Sequence, residues 1–306
     1  MIYKLGAMIP LLYYQIEPTV EGEKYKIKNL IEVAVRKEGV IKLSNGYEIP
    51  FTSENKHDVL KVVFFAIKNG IRFGDKEYQW KLDVKNGTIQ THQGIKFKLN
   101  SISILEETFL HEIHFTGFDL KDKIVITGGA YIGDTPLFYS YYGAKVYAFE
   151  PDPNSYKKAI ENISLNPNLK DRIILMNYAI GIDGDVVFPI ETDSGGASIF
   201  KLEGKKTIKV KSISVSTILK EFNITDPFLL DLDIKGSEFT VIEDESISKF
   251  KRIRIEYSPY LLDDKNKSLE FLVKNIKKHG FNKIRIYKHN NLRFDLLNHG
   301  TLEAEK

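Results

Sequence analysis

The chain of 306 residues contains no cysteine. That excludes disulfide staples, thiolate nucleophiles and cysteine-ligated zinc or iron–sulfur centres, and it fits a cytoplasmic protein. A surplus of either charge is also missing: 44 Lys and Arg stand against 41 Asp and Glu, a net charge of +3. Nucleic-acid binders usually carry a clear basic excess or stripe, so the balance gives no electrostatic case for nucleic acid as a partner. No apolar run approaches the roughly 20 residues that span a bilayer. The run at 5–14 is too short, and it lacks the basic start and small-residue cleavage site of a signal peptide. It reads as a buried element of an N-terminal domain. There is no Gly-x-x-x-x-Gly-Lys-[Ser/Thr] loop and no Gly-x-Ser-x-Gly elbow, so P-loop and α/β-hydrolase chemistry lack support. His111-Glu112-Ile113-His114 spaces its histidines three apart, not the four of a zinc-protease helix, and no third ligand stands out. No metal is expected. Nothing in the sequence sets the oligomeric state.

What is present is enough apolar material, 42% of residues, for a sizeable core. Abundant Lys, Glu and Ile without Cys resembles a thermophile's composition. Residues 1–118 read as a mixed, strand-rich α+β module of unassigned role. The stretches 39–51 and 77–99 alternate apolar and polar residues around Asn45-Gly46 and Asn86-Gly87, both hairpin-turn signals. Between them Val59, Leu60, Val63, Phe64 and Ile67 fall on one helical face.

From 119 to 306 the rhythm changes. Apolar runs at 124–127, 146–150, 173–177, 228–233 and 253–257 alternate with helical segments. Runs apolar on both sides belong to strands covered on both faces, which predicts a doubly wound, mostly parallel sheet of seven strands. Residues 181–216 break the pattern and read as a β insertion beside the site. The segments 283–287 and 292–297, joined by a turn at His289-Asn290-Asn291, predict an antiparallel C-terminal hairpin. In such sheets ligands bind beyond the C-terminal ends of the strands.

Two motifs stand there. Thr127-Gly128-Gly129-Ala130-Tyr131-Ile132-Gly133-Asp134 follows a buried strand and opens a helix, where glycines allow close backbone approach and free N–H groups face a ligand. Phe149-Glu150-Pro151-Asp152-Pro153 ends the next strand. Glu150, about 20 residues on, is spaced to accept hydrogen bonds from the hydroxyls of a ribose. Asp152 reads as an N-cap, with Pro153 as the first helical residue. Together they point to an adenosine-containing ligand. Gly128-x-Ala130-x-x-Gly133 also fits a relaxed dinucleotide fingerprint, so NAD and an oxidoreductase stay open on these residues alone.

The stretch 126–153 resembles the FkbM family of S-adenosylmethionine-dependent methyltransferases. So do 162–166 (Asn-Ile-Ser-Leu-Asn), 177–181 (Asn-Tyr-Ala-Ile-Gly), Gly195-Gly196-Ala197-Ser198, 231–239 (Asp-Leu-Asp-Ile-Lys-Gly-Ser-Glu-Phe) and Ile255-Glu256. The resemblance implies a Rossmann-like fold and methylation, mostly of oxygen, on a sugar, glycan or small-molecule acceptor. It implies cofactor contacts from Thr127, Gly129, Ala130, Gly133 and Asp134 at the methionine end, from Glu150 at the ribose, and from Asn177 and Ala179 near the adenine. Asp233, Lys235, Glu238 and Glu256 would line the acceptor side, with Asp233 or Glu256 as base for an alcohol.

Two positions depart from the family. An acid that helps hold the cofactor's ammonium is expected where Thr127 stands. A hydrogen bond to a charged group contributes about 1.5–3 kcal/mol, so its loss costs roughly ten- to a hundredfold in affinity. The family's Lys-x-Asp-x-Glu-Gly is Asp231-Leu232-Asp233-Ile234-Lys235-Gly236 here, with its outer charges exchanged. Either Asp231 and Lys235 keep a mutual ion pair, or Lys235 faces the cleft and favours an anionic acceptor, or activity is lost and the chain is a binding or scaffold protein.

Overall fold

The computed structural model describes residues 19–20, 23–24, 26–99, 102–114, 117–190, 198–200, 202–288 and 295–306. The apolar run at 5–14, the Gly195-Gly196-Ala197 part of the small-residue loop and the turn at His289-Asn290-Asn291 lie outside them. The chain divides into two compact units, Met1–Phe115 and Thr116–Lys306.

In the first unit, strands Gly39–Lys42 and Glu48–Phe51 pair antiparallel across Asn45-Gly46. Lys81–Asp83, Thr88–Gln90 and Lys96–Lys98 make a three-stranded antiparallel sheet. Gly87, in the turn between the first two of these, has φ of +59°. The helix Lys56–Lys68 buries Val59, Val63, Ala66 and Ile67. Trp80, Phe73, Phe97 and Phe109 are fully buried.

The second unit is built on one seven-stranded sheet. In chain order its strands are β1 (Ile124–Gly128), β2 (Lys145–Phe149), β3 (Ile173–Met176), β4 (Leu229–Leu232), β5 (Arg252–Tyr257), β6 (Lys283–Tyr287) and β7 (Gly300–Glu305). The order across the sheet is β3-β2-β1-β4-β5-β7-β6. The first five run parallel. Strand β7 runs antiparallel between β5 and β6. All four residues of β4 are buried, as are the last four of β1 and of β2. That accounts for their near-continuous apolar runs: both faces of the sheet are covered. The helices used below are α1 (Asp134–Tyr141), α2 (Pro153–Ser164), α3 (Val215–Glu221), α4 (Glu238–Val241) and α5 (Leu269–Lys278). The core gathers Leu230, Leu232, Ile253 and Ile255 with Leu272, Ile276 and Phe281.

The expected C-terminal hairpin forms, but with a different second strand. The partner of β6 is Gly300–Glu305, not 292–297. The Asp295 carboxylate accepts from the amides of Leu297 and Asn298, which closes a turn, and Leu297 points to solvent. Leu302 and Ala304 in β7 supply the buried alternation instead. Between β3 and α3, strands Ala179–Ile180, Gly184–Pro189 and Thr207–Ile213 form a separate three-stranded sheet, with Thr207–Ile213 in the middle.

Candidate active site

The glycine loop leaves β1 at Gly128. Gly129 and Gly133 have φ of +85° and +87°, a region that side chains avoid. Space forbids a side chain at Gly129, where a Cβ would stand 2.1 Å from the Asp233 carbonyl oxygen, and is tight at Gly133, where one would stand 3.2 Å from the Ala159 Cα of α2. The amides of Gly129 and Ala130 both donate to the Phe149 carbonyl at 3.0 Å, tying the loop to the end of β2.

Glu150 follows directly. It is 6% exposed. One carboxylate oxygen accepts from the Tyr131 amide at 2.7 Å and the other from the Asp152 amide at 2.9 Å. Burial pushes its carboxyl up to about 8, against the downward pull of those two amides. Asn177 does not present its amide to solvent; it donates to the carbonyls of Glu150 and Pro151 at 2.7 and 3.0 Å. Ala179 opens the small sheet, paired with Ser212. Asp152 caps α2, accepting from the amides of Asn154 and Ser155 ahead of the helical Pro153. Sequence reasoning gave Asn162 no individual role. It is fully buried and donates to the Ile132 carbonyl at 2.9 Å, bracing the glycine loop, while Asn166 donates to the Asn162 carbonyl at 2.8 Å. The available signal was an asparagine in the last turn of a helix that otherwise buries small residues, with a second asparagine four residues on, just past the helix end.

Thr127 is 1% exposed, and among the described residues its hydroxyl oxygen has no hydrogen-bond partner. Asp134 is buried in the first turn of α1.

The second cluster lies past β4 and β5. Lys235 has φ of +45°, and Ser198 donates to its carbonyl at 2.7 Å. Gly236, at φ +103°, leaves room for the Phe200 ring, which a Cβ would meet at 2.8 Å. This turn sends the Lys235 ammonium back between two carboxylates, Asp233 at 2.6 Å and Glu256 at 2.7 Å. Burial alone would lower the lysine's pKa; the two carboxylates outweigh it and hold it well above the ordinary value. Glu256 is 5% exposed and lies 3.8 Å from His299 Nε2. The other ring nitrogen of His299 is 3.2 Å from the Tyr257 carbonyl.

Two expectations are corrected here. Asp231 does not pair with Lys235. It is 1% exposed, bonded to Arg254 of β5 at 2.9 Å and to the Tyr139 hydroxyl at 2.9 Å. Side chains two apart on a strand share a face, so Asp231 and Asp233 point the same way, but Lys235 has left the strand and folds over Asp233. Glu238 does not line the cleft. It is 0% exposed, and its carboxylate accepts from the amides of Gly236 at 2.6 Å and Ser258 at 2.7 Å. Burial raises its carboxyl to about 7. Its role is to clamp the turns after β4 and β5 together.

His111 bonds to Glu106 at 2.5 Å in the first unit, and His114 is buried there. Among the described residues no group of three or more His, Cys, Asp or Glu is arranged to hold a metal. A cavity of about 190 Å³ opens at the far end of the sheet, by Leu229, Arg252 and Lys283, away from both clusters. Its basic side chains are paired with Glu303 and Glu305.

Comparison with known proteins agrees with this layout. The family model described as the methyltransferase FkbM domain matches residues 128–283. Half of the chain lies within that match, and the chain belongs to the FkbM methyltransferase family. Among curated proteins it is similar to the hexuronic acid methyltransferase AglP of Haloferax volcanii, 28% identical over 125 residues, covering 40% of this chain and 50% of that one. It is also similar to the tRNA(Phe) (4-demethylwyosine(37)-C(7)) aminocarboxypropyltransferase of Pyrococcus horikoshii, 33% identical over 93 residues, covering 29% of this chain and 33% of that one. The chain thus spans at most half the length of these relatives. Solved structures include the N-terminal domain of human METTL16 in complex with SAH, 14% identical at a TM-score of 0.38, covering 87% of this chain and 88% of that one. Precorrin-6y C5,15-methyltransferase from Geobacter metallireducens is 12% identical at a TM-score of 0.34, covering 61% and 82%. Likeness at that level carries no weight beside the strand order. No helix among the described residues is long and apolar enough to cross a membrane.

Proposed function

We propose that the chain is an S-adenosylmethionine-dependent methyltransferase acting in the cytoplasm on a hydroxyl of a sugar, glycan or small molecule. The observation that carries this is the Glu150 carboxylate, buried just past the end of β2 and anchored by two amides, one of them from the glycine loop, where Gly129 has no room for a side chain. These residues fit the cofactor. Glu150 would hold the ribose hydroxyls, Gly129, Ala130 and Gly133 would let the methionine end approach the backbone, and Asn177 and Ala179 flank the adenine side. When bound, the cofactor supplies an electrophilic methyl group. Most of the gain then comes from holding the acceptor in line.

On the acceptor side, Glu256 is the base we assign: it is buried, fixed by Lys235 and placed to take the proton of an alcohol. Lys235 orients that carboxylate. The cluster of Asp233, Glu256 and Lys235 carries two negative charges against one positive. Both carboxylates already hold Lys235, so the lysine is not left to draw an anionic acceptor, and a neutral hydroxyl suits this edge. The likeness to an enzyme named for hexuronic acid supports a sugar; on this reading the acid group of such a sugar would point away from Lys235.

A second reading, a binding protein with weakened catalysis, is favoured by the orphaned Thr127 hydroxyl. Calorimetric titration with S-adenosylmethionine, S-adenosylhomocysteine and NAD tests both. Micromolar binding of the first two without NAD supports the cofactor assignment, and a screen of sugar acceptors for methyl transfer then separates enzyme from binder. Failure of all three ligands to bind refutes the cofactor assignment.

A further inference from the structure

We infer that Asp233 is the residue that binds the ammonium of the cofactor's methionine end, in place of the uncharged Thr127. This rests on the cofactor reading above and assigns Asp233 to the cofactor rather than to the acceptor. Between Thr127 and Gly133 the glycine loop contains no charged side chain, and Asp134, next in line, is buried in the first turn of α1. A methionine ammonium laid against it, out of water, needs an anionic partner close by. Thr127 offers only a hydroxyl, buried and without a partner among the described residues.

The register places the substitute. Thr127 of β1 stands opposite Asp231 of β4, and Gly128 opposite Leu232. The ladder continues one step further, with the Asp233 amide donating to the Gly128 carbonyl at 3.1 Å. Side chains alternate between faces, so Asp233 lies on the face of Thr127, two residues nearer the ligand edge. Its backbone is pressed against Gly129: the Asp233 Cβ lies 3.7 Å from where a Gly129 Cβ would stand. Glu150 is held by two amides across the loop, and Asp231 is consumed by Arg254 and Tyr139. Asp233 shares one ammonium with Glu256, and burial together with Glu256 raises its carboxyl, so a second cation beside it would favour its ionised form. An incoming ammonium would meet that need, with Lys235 as its competitor for Asp233.

The test needs no acceptor. Three probes differ in the groups they carry: S-adenosylhomocysteine has the ammonium, S-adenosylmethionine has the ammonium and a sulfonium, and 5′-methylthioadenosine has neither. Binding of each is titrated to wild type, Asp233→Asn, Lys235→Met, Asp134→Asn and the Thr127→Asp/Asp233→Asn double variant, with melting curves as a check on folding. Asp233→Asn is expected to weaken S-adenosylhomocysteine and S-adenosylmethionine alike by about ten- to a hundredfold and to leave 5′-methylthioadenosine unchanged. The double variant is expected to recover most of that loss. Lys235→Met frees Asp233 from its competitor and is expected to tighten S-adenosylhomocysteine several-fold, a gain that misfolding cannot produce.

Unchanged S-adenosylhomocysteine affinity in both Asp233→Asn and Lys235→Met overturns the inference while leaving the cofactor reading intact. A loss confined to S-adenosylmethionine overturns it in favour of a sulfonium counterion. A loss seen with Asp134→Asn instead moves the role to Asp134. Wild type binding none of the three probes overturns the cofactor reading itself.

Discussion

Raising the pH should weaken the fold and strengthen cofactor binding through the same carboxyl. Glu150 has a folded-state value of about 8, above the 4.5 of an ordinary glutamate. A carboxyl raised on folding binds its proton more tightly in the folded than in the unfolded state. Between those two values the unfolded chain has lost the proton and the folded chain has kept it. Stability is therefore highest below the window, declines as pH rises through it, and levels off above it. Each pH unit inside the window is about 1.4 kcal/mol, so the step from pH 6 to 8 sets an upper bound of about 3 kcal/mol on this group. The ribose hydroxyls are donors to an ionised acceptor, so binding is expected to run the other way, with the Kd of S-adenosylhomocysteine falling up to tenfold per unit toward pH 8. Glu238, raised to about 7, adds to the stability trend but not to the binding trend. The assay is titration calorimetry and thermal melting at half-unit steps from pH 6 to 8.5, on wild type and Glu150→Gln. The variant should bind at least tenfold more weakly at pH 8, and its affinity should vary less with pH than that of wild type. A wild-type affinity that is flat across this range would refute the argument, because it would mean that Glu150 is ionised throughout or does not meet the ligand.

Three further outcomes follow from the geometry. Gly129→Ala should lower the melting temperature sharply, at a cost of roughly 2 kcal/mol or more, since its Cβ would fall 2.1 Å from the Asp233 carbonyl oxygen in a left-handed backbone; a melt within a degree of wild type would contradict this. Asn162→Ala should cost about 1–3 kcal/mol in denaturant unfolding by stranding the Ile132 carbonyl, and should weaken S-adenosylhomocysteine through a looser loop. Arg254→Met should cost about 3–5 kcal/mol by leaving Asp231 buried with a charge and no counterion, and Asp231→Leu added to it should restore much of the loss; additive losses in the double variant would show that the two do not act as a pair.

The local features of the site were legible because they are local. Glycines at left-handed positions, an acid at a strand end, and Asp152-Pro153 at a helix start each announce themselves within a few residues. The alternation of buried strands and helices likewise gave the parallel sheet. What could not be read depended on which distant element lies alongside. Asp231 finds Arg254 on β5, and no spacing rule links the two. Glu238 looks like a cleft acid because it follows the strand edge closely, yet the turn at Lys235 and Gly236 carries it inward onto two amides. Residues 292–297 imitate a strand in composition, but the Asp295 turn takes the pairing to Gly300–Glu305.

The Glu238 clamp has a consequence for how such a site can change. By gripping Gly236 and Ser258 at once, it ties the ends of β4 and β5 into one block, which holds Asp233, Lys235 and Glu256 in their mutual spacing. Ser198 and Phe200 rest on that block from outside, through the Lys235 carbonyl and Gly236. Variation at Ser198 and Phe200 can therefore change what lies against that block while Asp233, Lys235 and Glu256 stay in register. Libraries aimed at a new acceptor should include Phe200, which is exposed and rests on Gly236, and should leave Glu238 untouched.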